Sequence, residues 1–302
     1  MDLRALRYFA AVAETGHMTR AAEQLGIQQP PLSQQIKTLE RTLGLQLFKR
    51  HPRGVTLTEA GRLFLAEARR LLDDAEAMRA RMKRVAEGQA GVLRVGFTSS
   101  AAAHRFVPDA LRAFRQAFPD VELQLREANA AELTEALAAG RLHAALLRQP
   151  VAKPEGLRFD TLLHEPMVAA LPIERAEALP ASQRKRALPL KRLCQDPLIL
   201  VRRPGAPGMY ADLLALCHAQ GLAPRIAAEV DRMMTNLNLV AAGVGASVVP
   251  ASMAGVHAHA VAYFPLAGCD SLDAPLTLVR REGEDSLPAQ QFHALLHRRA
   301  RT

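Results

Sequence analysis

The sequence predicts an α/β chain in three parts: an N-terminal winged helix-turn-helix, a long linker helix and a two-lobed α/β domain. Three observations carry that prediction. Short apolar-periodic helices punctuated by glycines fill residues 1–58, an unbroken helical pattern follows to about residue 88, and from Gly91 apolar strands alternate with helical stretches. A length of 302 residues exceeds one ordinary core and suits two. The boundaries accordingly fall at 1–58 for the winged helix-turn-helix, 59–89 for the linker and 90–302 for the α/β domain. Within the last, one lobe takes about 90–163 and 265–302, and the other about 164–264.

Leu3, Leu6, Phe9, Ala10 and Ala13 repeat at helical spacing, and Gly16 ends that first helix. A second, short helix covers 19–25 and stops at Gly26. The third covers 30–43, with Pro30 and Pro31 in its first turn, where a missing N–H costs little, and with Leu32, Ile36, Leu39 and Leu43 as its buried stripe. After Gly44, residues 45–48 and 55–58 read as two short strands around the basic turn KRHPRG, a wing. Thr58 then N-caps the linker helix. A helix of about 30 residues spans about 45 Å, too long to pack fully on so small a domain, so it should bridge domains or pair with a second copy of itself.

Beyond Gly91 the strands are VLRVGF, VELQLRE, LHAALLR and segments 167–171, 198–202, 226–230, 247–249, 260–264 and 276–280. Helices read at 102–118, 130–139, 210–220, 232–242 and 287–299. Strands separated by helices imply βαβ crossovers and a mainly parallel sheet, and two such lobes form a cleft at the carboxyl ends of the strands.

A hydrophobic share of 49% with 23% charged residues excludes a disordered chain. No run of about 18 apolar residues is present, and MDLRALRYFAAVAETG lacks a basic segment followed by an apolar one, which predicts a cytoplasmic protein with no membrane partner. The net charge of +9 suits a polyanion partner, although many basic proteins bind no nucleic acid. Cys194, Cys217 and Cys269 lie far apart along the chain with no CxxC or Cys/His cluster, which argues against a disulfide framework or structural zinc. They read as small, partly buried apolar residues, with a thiol switch as the alternative. No P-loop or GxGxxG follows the first strand, and Ser247 in GASVV lacks the second glycine of a nucleophile elbow. His293 and His297, and His257 and His259, have neither a zincin glutamate nor a third ligand nearby. No enzyme activity, metal or cofactor is expected.

The stretch MTRAAEQLGIQQPPLSQQIKTLE carries the strongest signal. Its small Ala21-Ala22 pair permits close helix approach, Gly26 makes the turn, and the next helix presents Gln28, Gln29, Ser33, Gln34 and Lys37 opposite Leu32, Ile36 and Leu39. Glutamine can pair bidentately with adenine, serine can donate or accept, and Lys37 can hold phosphate or guanine. A plain helical hairpin with a solvated polar face would show the same pattern.

Residues 7–61 also resemble, almost without gaps, the winged helix-turn-helix of LysR-type transcriptional regulators, in which RYFxAVAExGxMTxAAxxLxxxQPxLSxQIxxLExxLGxxLFxR and G-V-x-L-T-x-A-G recur. The resemblance implies binding to double-stranded promoter DNA, with Gln29, Pro30, Pro31, Ser33 and Gln34 facing the groove and Arg50 and Arg53 of the wing at the backbone or minor groove. Gln28 and Gln34 depart from the Ser or Thr and the Arg common at those places, which leaves the base preference open. LRVGFTSS, the Phe118-Pro119 turn, EALAAGRLHAALLR and LVAAGVGASVVPAS are similar to the effector domain of this family, whose fold is that of type 2 periplasmic binding proteins. The Pro30-Pro31 pair, LRVGFTSS and VAAGVGASVVPAS most resemble the subgroup controlling catechol, chlorocatechol and benzoate degradation, which responds to muconate-like carboxylates. The family implies assembly as a dimer and then a tetramer and makes RNA polymerase a candidate partner; an activator is the expected role, with repression left open.

For the effector, Thr98, Ser99 and Ser100 lie between a strand and a helix, where hydroxyls and free N–H groups can hold a carboxylate. The resemblance points to Ser99 first, and simple capping is the alternative. Asn129 precedes the next helix, where the family often has Thr or Ser, and Ala130 occupies the place of the muconate responders' Thr. Arg148 ends LHAALLR and can pair bidentately with an acid, or lie on the surface. Arg202, Arg203 and the turn through Gly208, Met209 and Tyr210 would give N–H groups and an aromatic wall, while Met234, Thr235 and Asn236 open another helix toward the same gap. Such a site suits a small aromatic or unsaturated organic acid.

Overall fold

The computed structural model describes residues 1–148, 153–184, 186–201, 210–269 and 271–301. The chain forms two compact units, 1–85 and 86–302.

In the first unit, α1 (Leu3–Thr15), α2 (Met18–Gln24) and α3 (Gln29–Leu43) are followed by a hairpin of β1 (Phe48–His51) and β2 (Gly54–Leu57) and by α4 (Glu59–Ala86). Asp2 caps α1 by accepting from the Ala5 N–H at 2.8 Å, and Gly16 and Gly44 close α1 and α3 in the left-handed region that glycine adopts without a Cβ clash. The core joins Leu6, Phe9 and Val12 of α1, Ala21 and Ala22 of α2, and Leu32, Ile36 and Leu39 of α3 to Leu47, Phe48 and Val55. Phe9 sits at its centre, with ring centroids 5.1 Å from Phe48 and 4.9 Å from Phe64. The expected wing strand 45–48 is displaced: β1 begins at Phe48, because Phe48 pairs with Leu57 and His51 with Gly54, leaving Pro52-Arg53 as the turn.

In the second unit the order is β3 (Ala90–Phe97), α5 (Ser99–Ala102), α6 (Phe106–Ala117), β4 (Asp120–Glu127), α7 (Ala130–Ala138), β5 (Ala144–Leu147), β6 (Leu157–Leu163) and β7 (Met167–Pro172). Then come α8 (Ile173–Glu177), α9 (Ala181–Arg184), β8 (Leu188–Pro189), α10 (Leu190–Leu193), β9 (Leu198–Val201), α11 (Ala211–Ala219) and β10 (Ile226–Val230). The chain ends with α12 (Met233–Ala241), β11 (Ser247–Pro250), β12 (Val261–Ala267), β13 (Leu276–Arg281) and α13 (Leu287–Ala300).

One sheet has the order β4-β3-β5-β13-β6 and a second β11-β7-β12-β8, with β9-β10 linked to the latter through a Leu198–Ala246 bridge. The expectation of a mainly parallel sheet is corrected. β3 runs parallel to β4 and β5, but β13 is antiparallel to β5 and β6, and β7 to β11 and β12. The cause is connectivity, since the chain returns from the second sheet along β13 without a crossover helix. The single helix expected at 102–118 breaks at 103–105, where His104 Nδ1 accepts from the Phe106 N–H at 3.2 Å and so starts α6. The strand β6 went unread because Arg158 and Asp160 interrupt its apolar pattern. Two segments join the sheets and run side by side, with Pro166 bridged to Asp273 and the Ala274 N–H donating to the Glu165 carbonyl at 2.9 Å.

Candidate functional site

The polar face of α3 stands as its periodicity predicts. Leu32, Ile36 and Leu39 are buried, while Gln28, Gln29, Pro30, Pro31, Gln34 and Lys37 are exposed and Ser33 is half-buried. Gln28 occupies the N-cap position without a side-chain cap hydrogen bond, and the first turn holds no acidic residue. Pro30 and Pro31 remove two of the first-turn N–H groups, so that end of the helix offers the Gln29 N–H and the positive end of the helix dipole to a phosphate. Lys49, Arg50, His51 and Arg53 are exposed on the wing, a second cationic surface.

The wing is held at its root by Glu40, which sequence reasoning missed, by Thr58, expected only as the cap of α4, and by Gly54. Glu40, on the buried side of α3, accepts from the Leu47 N–H at 2.8 Å and the Phe48 N–H at 3.1 Å, tying the third helix to the first wing strand. Thr58 donates to the Gln46 carbonyl at 2.7 Å while accepting from the Gly61 N–H at 2.9 Å, so one hydroxyl caps α4 and closes the hairpin. The Val55 N–H donates to the Gly16 carbonyl at 2.9 Å, and a Cβ at Gly54 would come within 2.3 Å of that oxygen. Only glycine permits this approach of the wing to the end of α1. Glu40 had a readable cue in its offset from the Leu39 stripe, but its partners lie on another element.

In the second unit, Thr98 caps α5, its Oγ1 accepting from the Ala101 N–H at 3.2 Å and lying 3.3 Å from Ser100 Oγ. Capping is thus realised, which leaves Ser99, half-buried, as the hydroxyl without a partner among the described residues. Asn129 caps α7 through the Glu132 N–H at 2.9 Å. α5 packs against α12, and Arg232, ahead of α12, lies 3.8 Å from Glu127 at the end of β4. The structure therefore sets α5, with Ser99 and Ser100, beside α12, on which Thr235 is exposed.

Three predicted ligand residues have other employment. Arg148 is buried, not a free cation: it ion-pairs with Glu165, and its Nη atoms donate to the carbonyls of Ala274 (3.1 Å) and Ser100 (2.7 Å) and to Ser252 Oγ (3.1 Å). Burial pulls its pKa down and the Glu165 carboxylate opposes that pull. Glu165 also accepts from Ser252 N and Oγ, at 3.0 and 2.9 Å, so the cluster joins the end of β5, the segment between the sheets and the residues after β11. Tyr210 is fully buried rather than an open aromatic wall; its hydroxyl donates to the Val248 carbonyl at 2.8 Å, and burial raises its pKa. Asn236 is fully buried too, Nδ2 donating to the Ile199 carbonyl at 3.0 Å, while its Oδ1 has no partner among the described residues. Arg202, Arg203 and Met209 lie outside the described residues. Beside the Arg148 cluster is a cavity of about 310 Å³ lined by Ala103, His104, Arg105, Glu165 and Ser252, in which burial lowers the His104 pKa. Sequence reasoning missed Glu165, Ser252 and Arg232; a carboxylate between two apolar strands was the cue for the first.

An exposed polar helix face beside a cationic wing defines a DNA-binding protein, here carrying a second, two-sheet unit. The family description "LysR substrate binding domain" matches residues 86–301, and "Bacterial regulatory helix-turn-helix protein, lysR family" matches 3–62. The chain is 40% identical over 292 residues to the uncharacterized HTH-type transcriptional regulator YnfL of Escherichia coli (strain K12), covering 97% of this chain and 96% of that one. It is 36% identical over 287 residues to a probable cat1 operon transcriptional activator of Acinetobacter lwoffii, covering 95% and 92%. The crystal structure of full-length CbnR complexed with its target DNA superposes with a TM-score of 0.83 at 30% identity, covering 99% of this chain and 100% of that one. The chain belongs to the LysR family: it is a transcriptional regulator with an effector-binding domain, and its relatives are regulators rather than enzymes. No helix among the described residues is long and apolar enough to cross a membrane.

Proposed function

We propose that this regulator reads its operator with α3 in the major groove, using Gln28, Gln29, Ser33, Gln34 and Lys37 at base edges and nearby phosphates, with Pro30 and Pro31 shaping the entry. Arg50 and Arg53 hold the backbone or minor groove. The observation that carries this reading is the open polar face of α3 above a closed apolar one. Residues 1–58 act as the DNA-binding domain, 59–89 as linker and 90–302 as sensor. Leu63, Leu71, Met78, Met82 and Val85 are exposed along α4, an apolar stripe that pairing with a second copy would cover. Two dimers then form the tetramer, and the complex works in the cytoplasm beside RNA polymerase.

The effector is a small aromatic or unsaturated carboxylate, as for the catechol and benzoate subgroup, and the likeness to a cat1 operon activator supports it. Ser99 and Thr235 supply hydroxyls, Thr98, Ser100 and Asn129 shape the helix starts that face the ligand, and Arg202, Arg203 and Met209 are further candidate ligand residues. Arg148, Tyr210 and Asn236 act from beneath as framework. Calorimetry of the full-length protein against aromatic and dicarboxylic acids tests this. Binding weakened at least tenfold in Ser99→Ala is expected; binding only of neutral or cationic compounds would overturn the ligand class. Recovery of genomic promoter fragments by the same protein tests the DNA reading separately.

A further inference from the structure

The three cysteines, separated in sequence, meet in the fold. Cys217 and Cys269 are members of one core cluster in the second unit, and Cys194 packs against it. Cys194 Sγ at the end of α10 lies 3.6 Å from Cys217 Sγ on α11, and neither thiol is in a disulfide. A disulfide bond measures about 2.0 Å, so closing this pair asks for roughly 1.5 Å of sulfur movement. Cys194 is the C-cap of the four-residue α10 and only half-buried where it packs against that cluster. Cys269 is engaged elsewhere, its Sγ donating to the Ala267 carbonyl at 3.4 Å.

We propose that Cys194 and Cys217 form a reversible disulfide under hydroperoxide, a modification site that clips together the two ends of segment 195–216. That segment holds β9, Tyr210 and the candidate ligand residues Arg202, Arg203 and Met209. Cys194 is the entry point because it is half-buried whereas Cys217 is fully buried. The Cys194 thiolate attacks one peroxide oxygen and breaks the O–O bond. The other oxygen leaves as hydroxide and takes up a proton, so that a sulfenic acid and one water result. The Cys217 sulfur then attacks the sulfenic sulfur, an S–S bond forms, and the sulfenic oxygen leaves with two protons as a second water. Two thiols lose two electrons and one peroxide becomes two waters. Burial raises the pKa of both thiols, that of Cys217 to about 12, so the reaction is slow at neutral pH and accelerates as pH rises. The pair therefore answers sustained oxidation rather than a brief pulse.

Trypsin specificity places the three cysteines in separate peptides, 193–202, 203–225 and 233–280. Full-length protein is exposed to hydrogen peroxide, alkylated, digested without reductant and analysed by mass spectrometry. The expected product joins peptides 193–202 and 203–225, is released by dithiothreitol, and leaves 233–280 alkylated. Cys269→Ala keeps the linked product, Cys194→Ser removes it, and its rate of formation increases with pH. Three alkylated peptides after prolonged peroxide, a link through 233–280, or a sulfinic Cys194 beside an alkylated Cys217 would each overturn the proposal. The wild-type mapping stands whether or not a variant folds.

Discussion

On α3 the polar residues Gln28, Gln29, Gln34 and Lys37 are exposed while the helix core is apolar; in the second unit, Arg148, Tyr210 and Asn236 are buried and hydrogen-bonded to the framework. A solvated glutamine loses little by waiting for a base. A buried guanidinium without partners would cost several kcal/mol, so it is paired before any ligand arrives. The first surface is thus open for recognition by default. In the second, polarity maintains the relation of the two sheets, and little of it is free for the effector.

Four measurements can break or sharpen this contrast. The largest effect is expected for Arg148→Met or Glu165→Gln, each leaving a buried partner unmatched and lowering stability by about 3–5 kcal/mol in urea unfolding. Replacing both by Met should restore most of that loss; a single-variant cost below about 1 kcal/mol would remove the framework role. Next comes acid sensitivity. His293 is buried with Nε2 unpartnered among the described residues, and desolvation lowers its pKa to about 4. Between the ordinary value of 6.5 and about 4 the unfolded chain takes up a proton that the folded chain refuses, so stability is lost as pH falls through that window, by up to about 3 kcal/mol. The pKa of His143, also lowered by burial, acts in the same direction. His293→Gln should flatten the profile, and an unchanged slope would assign it elsewhere.

On the DNA side, Gln29→Ala or Ser33→Ala should each reduce operator discrimination by about 1–3 kcal/mol while sparing non-specific binding. The smallest effect belongs to Arg53→Ala, which should weaken every sequence alike and reduce the salt-dependence slope by about 1. Equal losses on all DNA for all three variants would erase the distinction between base-reading helix and backbone-holding wing.

The helix-turn-helix was legible because its determinants are local. Leu32, Ile36 and Leu39 recur within two turns, and Gly16, Gly26 and Gly44 punctuate the helices. In the second unit most strands were readable from apolar runs, but their directions were not, since the antiparallel course of β13 depends on how the chain returns from the other sheet. The functional side chains fared worse for a related reason. Arg148 was visible as a strand-end cation, yet its partners Glu165 and Ser252 lie 17 and 104 positions later, beyond any periodic pattern. Cys194 and Cys217, 23 positions apart, became a pair only through the packing of α10 and α11.

Strands β6 and β13 are hydrogen-bonded neighbours, with Leu163 opposite Leu276, although more than a hundred residues of the second sheet intervene between those two positions. The two ends of that intervening stretch are therefore adjacent in space, as the ends of an inserted module are. Recombination between related regulators could replace such a cassette whole without disturbing the host sheet, so that one half of the effector-binding domain diversifies while the other, with its Ser99 and Asn129, is inherited intact.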